Sequence, residues 1–251
     1  MERDELVFYL DDYLRIGAIE DYGPQGLQVE SENTGIARIA LAVDTALPVI
    51  REAAAWRADI LLVHHGILWR QVERIAGPLG ERVRLLLRHG INLYAAHLAL
   101  DAHPDVGNNV ELARILGVTV EDRWYEANGT PIGVVGAAPA GLTVQQLAVE
   151  LAQRLRTAPV VLAHGPAAPA RIAIVSGAGA GAVAEACAAG ADTLITGETS
   201  HAHYWAASDY GMNVLFAGHY ATETVGVQAL GRHLADRFAV EVKFFDFPTE
   251  M

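Results

Sequence analysis

Short apolar runs bounded by charge or glycine alternate with amphipathic stretches along most of this chain. Residues 5–15 predict a short amphipathic helix, and Asp21–Gly26 (DYGPQG) a turn-rich loop. ARIALAVD, Ala37–Asp44, predicts a buried strand, and Leu47–Ala58 a helix that tolerates Pro48 in its first turn. ADILLVHHG, Ala58–Gly66, predicts the next strand. A helix around Glu81–His89 follows, and then a third strand, INLYAAH, Ile91–His97. Asp105–Leu116 reads as a further helix and VTVEDRWY as a strand. This alternation predicts a largely parallel sheet covered by helices.

The middle of the chain, from GTPIGVVG to PVVLAHG, reads as strand, helix, strand, with Thr143 and Gln146 placed for a capping box. ARIAIVSGAGAG, Ala170–Gly181, then restores the buried-strand pattern, and it does so as a repeat. ARIALAVD at 37 matches ARIAIVSG at 170, and ADILLVHHG at 58 matches ADTLITGET at 191, both at a spacing of 133 residues. GINLYAAHLALD (Gly90–Asp101) pairs with GMNVLFAGHYATE (Gly211–Glu223), and both end in His-x-x-x-acid. The expected fold is therefore α/β, with two related lobes from an internal duplication. The lobes are placed at 1–125 and 126–251, intertwined as one globular unit, with a ligand site in the cleft between them at the strand C-terminal ends.

Charge and cysteine content narrow the partners. Thirty acidic against 18 basic residues give a formal net charge of -12, with Lys243 the only lysine, so duplex nucleic acid and anionic membranes are poor partners. One cysteine, Cys187, excludes an intrachain disulfide and any multi-cysteine zinc site, and it reads as a core residue of an Ala-rich helix. No apolar run approaches the about 20 residues of a membrane helix. The start, MERDELVFYL, has no secretory pattern, so a cytoplasmic location is expected.

The 10 histidines and many carboxylates direct attention to nitrogen and oxygen ligands. His64 and His65 leave a buried strand just before Gly66, which permits a sharp turn; they are either metal ligands or ordinary loop histidines. Asp101 follows the strand ending near His97 and reads as a ligand or a helix cap. His219 and Glu223 share one face at i,i+4 spacing if that segment is helical, as ligands or as a solvated pair. Together these five exceed a single tetrahedral zinc site and suit two adjacent metals, with a bridging carboxylate and a nucleophile generated from water. Zn, Fe, Mn, Co and Ni all accept such a set. His97 is left over, as a base standing behind the ligands or a structural equivalent of His219. Glu198, His201 and His203 line the cleft or form a polar loop. SGAGAG (Ser176–Gly181) reads as a tight turn, without a Walker A ending, and Ser176 lacks a nucleophile-elbow context.

At LLVHHG, Ala95–Asp101, SGAGAG, TGE and GHYATE, across essentially its whole length, the chain resembles the YbgI-like dinuclear metal-centre proteins, homologues of type 2 GTP cyclohydrolase I. That resemblance implies a two-lobed α/β fold, ring-shaped homohexamers and dinuclear sites facing an internal cavity. It implies His64, His65, Asp101, His219 and Glu223 as metal ligands, with Glu223 bridging, His65 and Asp101 on one ion, and His64 and His219 on the other. His97 stands beside the site as the candidate catalytic residue. Longer relatives insert a domain between the lobes, for which this middle segment is too short. No organic cofactor is expected. The function that follows is a metal-dependent hydrolase with a small-molecule substrate, a nucleotide such as GTP opened at its imidazole ring if the family name applies. The alternatives are another metallohydrolase, acting on a phosphoester or cyclic amide, or a non-enzymatic metal-binding regulatory protein.

Overall fold

The structure, a computed structural model, describes residues 1–70 and 74–249. The chain divides into two compact units, Met1–Leu100 with Val227–Phe247, and Asp101–Gly226 with Pro248–Met251. Each unit holds its own sheet, and strands and helices are numbered in chain order.

The first unit contains helices α1 (Arg3–Tyr13), α2 (Leu47–Ala55) and α3 (Gly77–Arg88) and strands β1 (Gly26–Val29), β2 (Arg38–Asp44), β3 (Ile60–His65) and β4 (Asn92–Ala95). The four-residue helix α4 (Leu98–Asp101) follows, its last residue counting with the second unit. The second unit contains α5 (Asn108–Leu116), β5 (Thr119–Ala127), β6 (Thr130–Ala137), α6 (Val144–Leu155), β7 (Val160–Ala163), β8 (Arg171–Ile174), α7 (Val183–Ala188), β9 (Thr193–Thr196), α8 (Tyr204–Asp209) and β10 (Asn213–Phe216). Helix α9 (His219–Arg237) starts in the second unit, its residues from Val227 count with the first, and β11 (Glu241–Phe244) joins the first unit's sheet.

The two sheets run β1-β4-β3-β2-β11 and β5-β6-β8-β9-β10-β7. Strands β2, β3 and β4 are parallel neighbours, and so are β8, β9 and β10. In each unit the strand that precedes this trio, β1 or β7, lies antiparallel on its last member. The sequence repeat is thus a topological repeat, and the mixed α/β fold with two related halves is what the structure shows.

Polar side chains that hold main-chain groups repeat as well. Asp59 Oδ2 accepts from the amides of Ala37 and Arg38, and Asp192 Oδ2 accepts from those of Ala170 and Arg171. Asn92, fully buried, accepts from Ser31 N and donates to the carbonyls of Asn33 and Asp59. Its counterpart Asn213 accepts from Gly165 N and donates to Pro166 O and Thr193 Oγ1. Each pair satisfies main-chain groups that the ladder leaves over where a loop enters the sheet.

Strands β2, β3 and β4 are buried along almost their whole length, as expected of parallel strands covered on both faces. One face of the first sheet (Ala40, Ala42, Leu61, Val63, Leu93) packs with Val49, Ile50 and Leu86. In the second unit Val134, Ile172, Ile174, Ile195 and Leu215 pack with Leu112, Leu147 and Leu151. The Thr143–Gln146 capping box forms in full at the start of α6.

The second sheet departs from the largely parallel expectation. β5 and β6 form a hairpin whose turn residues Asn128 and Gly129 take φ of 47° and 75°, the left-handed pair such turns favour, and β6 lies antiparallel to β8. Two strands lie outside the expected set. β1 follows directly on the loop read at Asp21–Gly26, and β11 is the exposed-leaning EVKF. Cys187, expected in the core, is half-buried. Among the described residues no helix is long and apolar enough to cross a membrane.

Candidate metal centre

In the first unit the strand ends deliver three histidines. β3 runs buried as far as His64, which is wholly inaccessible, and closes on the partly exposed His65. Its neighbour β2 ends in Asp44, directly across from His65 in the register, and His65 Nδ1 donates to Asp44 Oδ1 at 2.8 Å. The His65 carbonyl accepts from both N and Oγ1 of Thr45, which fixes the backbone at this exit. His64 Nδ1 donates to Ala96 O at 3.0 Å, just beyond β4. The next residue, His97, donates through Nδ1 to Asp21 Oδ1 at 2.8 Å.

The three rings face one another, with centroids 4.7 Å (His64–His65), 4.9 Å (His64–His97) and 5.6 Å (His65–His97) apart. One ring nitrogen from each lies within 4.8 Å of the others. Carbonyl and carboxylate oxygens only accept, so each ring, when neutral, carries its proton on Nδ1 and has Nε2 unprotonated. Metal-ligating histidines are held in this way, one nitrogen tied to the protein and the other turned to the ion, and the cluster can hold a metal ion.

A small cavity beside His64 and His97 is walled by Asp21, Pro24, Gln28 and Trp69. Trp69 sets its ring edge-on to His97 at 5.3 Å. Burial alone would raise the Asp21 carboxyl. The hydrogen bond and charge of His97, with the amides of Leu98 and Tyr22, instead hold it below the usual carboxylate range.

The second unit gathers carboxylates and one histidine. His219 opens α9 and Glu223 stands one turn on, so the i,i+4 pair meets: His219 Nε2 lies 3.0 Å from Glu223 Oε1, and Glu223 is buried. Behind the ring, Nδ1 donates to Glu198 Oε1 at 2.5 Å. Burial works against a charged His219, but hydrogen bonds and charge from Glu223 and Glu198 outweigh it and push its pKa up to about 9. Gly177 lies against this pair in the left-handed region at φ 67°; a Cβ there would come 2.5 Å from Glu223 Oε1 and 3.3 Å from His219 Nε2. The glycine of the SGAGAG turn therefore makes room for the pair.

Asp101, also buried, accepts on Oδ1 from Asn108 Nδ2 at 2.8 Å and Ser176 Oγ at 3.1 Å. Asn109 Oδ1 accepts from Ser176 N, and Asn108 Oδ1 accepts from Gly226 N. Ser176 is thus a carboxylate donor. His201 and His203 are exposed on a 3-10 turn, with His203 Nδ1 at Ser200 Oγ.

The structure thus brings His64, His65 and His97 together in the first unit, and His219, Glu223 and Glu198 in the second. Sequence reasoning missed Asp44, Asp21, Asn108 and Asn109. Asp44 and Asp21 act on His65 and His97 across 21 and 76 residues of sequence, whereas Asn108 lies only 7 residues beyond Asp101 and shows its role only through the side-chain contact. Imidazoles held at Nδ1, and a buried carboxylate, Asp101, held by the neutral donors Asn108 and Ser176, are ligand types that fit a borderline divalent ion.

The family model of Duf34/NIF3 (NGG1p interacting factor 3) matches residues 1–250. A Deinococcus radiodurans protein named "GTP cyclohydrolase 1 type 2 homolog" is 47% identical over 249 residues, covering 98% of this chain and 94% of its own. Among solved structures, protein ybgI, of unknown function, superposes with a TM-score of 0.94 at 34% identity, covering 100% of both chains. A Thermus thermophilus protein gives a TM-score of 0.89 at 39% identity, again covering 100% of both chains. With the same two-sheet fold and matches along its whole length, the chain belongs to the Duf34/NIF3 family.

Proposed function

We propose that this chain is a metal-dependent hydrolase whose dinuclear centre takes its ligands from His64, His65, Asp101, His219 and Glu223, two divalent ions per chain. The observation that carries this reading is the anchoring of every proposed histidine ligand at Nδ1: His64 on Ala96 O, His65 on Asp44 and His219 on Glu198. Such anchoring holds each ring in the orientation in which Nε2 serves as the ligand.

When bound, a pair of divalent ions supplies a nucleophile from water at neutral pH and positive charge for the leaving oxygen. The chain's own residues do the rest. Glu198 and Asp44 hold their rings, Asn108 and Ser176 hold Asp101, and His97 offers Nε2 to a reacting proton. Four added positive charges offset the local acidity, so a nucleotide or other phosphorylated small molecule is the favoured substrate class. The name of the relatives supports GTP, opened at its imidazole ring with release of formate. Assembly as a homohexamer and a cytoplasmic location belong to the same proposal.

Elemental analysis of native protein beside Glu223→Ala is the decisive test. About two metals per chain in native protein, falling sharply in the variant, is the expected result, and one or none in native protein overturns the paired centre. Metal-loaded protein incubated with GTP is expected to release formate. Phosphate without formate from GTP or a phosphoester panel assigns the centre to phosphoester hydrolysis. Stoichiometric metal with no turnover of any class assigns it to metal binding alone. Light scattering tests the hexamer.

A further inference from the structure

His97 is held on more sides than a loop histidine needs. Its ring donates from Nδ1 to Asp21 Oδ1 at 2.8 Å, while Asp21 Oδ2 accepts from Leu98 N at 2.8 Å, so one carboxylate grips both ring and adjoining backbone. Gln25 Oε1 accepts from the amides of His97 and Ala99 and ties the same segment from the other end of the loop. The loop is itself locked. Arg70 donates from N to Tyr22 O, and from its guanidinium to Asp21 O and Glu20. Gln28 accepts from Ile67 N and Leu68 N. The Asp21 side chain is only 2% exposed, and among the described residues no group donates to or accepts from His97 Nε2. One ring nitrogen of His97 lies within 4.8 Å of ring nitrogens of His64 and His65, and with Nδ1 engaged by Asp21 the nitrogen left to serve them is Nε2.

We propose that Asp21 is the positioning residue of an Asp21–His97 dyad: it fixes His97 as the Nδ1–H tautomer, with Nε2 presented toward the His64–His65 cluster to accept and return a proton. This rests on the hydrolase reading above. In the step, one O–H bond of the attacking water breaks, its proton passes to Nε2, and the oxygen bonds to the substrate. The imidazolium so formed faces the Asp21 carboxylate, which keeps its charge, and the proton then leaves Nε2 for the departing group. No further reactant is required. Asparagine at 21 presents an amide that can turn its NH2 toward the ring and favour the opposite tautomer.

The test uses zinc-loaded protein with 15N-labelled histidine, long-range 15N–1H spectra, and His97→Gln to assign the ring. Native His97 is expected to carry its proton on Nδ1. Asp21→Asn is expected to move population to the Nε2–H form, keep its zinc content, and lose roughly 100-fold or more in kcat at unchanged KM on whichever substrate turns over. Asp21→Glu is expected to recover part of that loss. A native Nε2–H form, an unaltered tautomer in Asp21→Asn, or loss of zinc in step with activity would each overturn the proposal. If native protein turns over nothing, the hydrolase reading fails while the tautomer still decides whether Asp21 positions His97. If Asp21→Asn does not fold, the native spectrum alone decides.

Discussion

Glu198 accepts a 2.5 Å hydrogen bond from His219 Nδ1 and so fixes which nitrogen of that ring meets Glu223. Removing such a carboxylate from behind a metal-ligating histidine weakens metal binding by about 10- to 100-fold. Glu198→Ala is therefore expected to shift metal affinity by that factor, measured by competition with a chelator. Native affinity in the variant would reduce Glu198 to a fold contact.

In chelator-stripped protein His219 is expected to behave as an imidazolium between two carboxylates, its pKa raised from 6.5 to about 9. A histidine raised in the folded state contributes stability that is fully present below its unfolded pKa and is lost as pH rises through the folded one. The stability gap between native protein and His219→Gln should thus be widest below about pH 6.5 and close through about pH 9. Metal uptake near neutral pH should release a proton, detectable as a buffer-dependent binding enthalpy. A gap that widens with rising pH would contradict this sign.

Gly177→Ala is expected to abolish metal retention at the second unit's ligand pair, because the new Cβ would lie 2.5 Å from Glu223 Oε1. Gly141 supplies the control: it has a comparable φ of 78°, and a Cβ added there would meet nothing within 4 Å, so Gly141→Ala carries the backbone strain alone. Each variant should lose about 1 kcal/mol from that strain. Only Gly177→Ala should lose metal in elemental analysis.

Asn92→Ala and Asn213→Ala are expected to cost about 1–3 kcal/mol each in urea unfolding, since each strands buried main-chain partners. Metal per folded chain should stay native in both. A large difference between the two costs would show that the repeated clamps do not carry equal loads.

How much of this was legible in the sequence depends on how locally each feature is encoded. β2 and β3 carry apolar runs ending in Asp44 and His65, β4 lies within the apolar segment that leads to His97, and all three emerge directly. The His219–Glu223 contact follows from helical spacing. The expected helix over Asp105–Leu116 starts at Asn108, since the amides of Asp105 and Val106 donate to His103 Nδ1 and that of Gly107 to His103 O, which makes a turn before the helix. β11 was hidden because its side chains alternate between exposed and half-buried, with the pattern of a polar tail. Asp21 was hidden for a different reason. A buried acid in a loop is recognisable only through its partner, and His97 lies 76 residues away in sequence. Asp44 sits at the end of a visible strand, but its role depends on register with β3, which apolar patterning does not specify.

The place of β11 also carries a consequence for synthesis. Residues Glu241–Phe244 pair with β2, whereas all six strands of the second sheet lie between Thr119 and Phe216. During translation the second sheet therefore has every strand available before the first has its last one. The first sheet is thus completed after the second, so truncation just before Glu241 should leave β2, not a strand of the second sheet, with an unpaired edge.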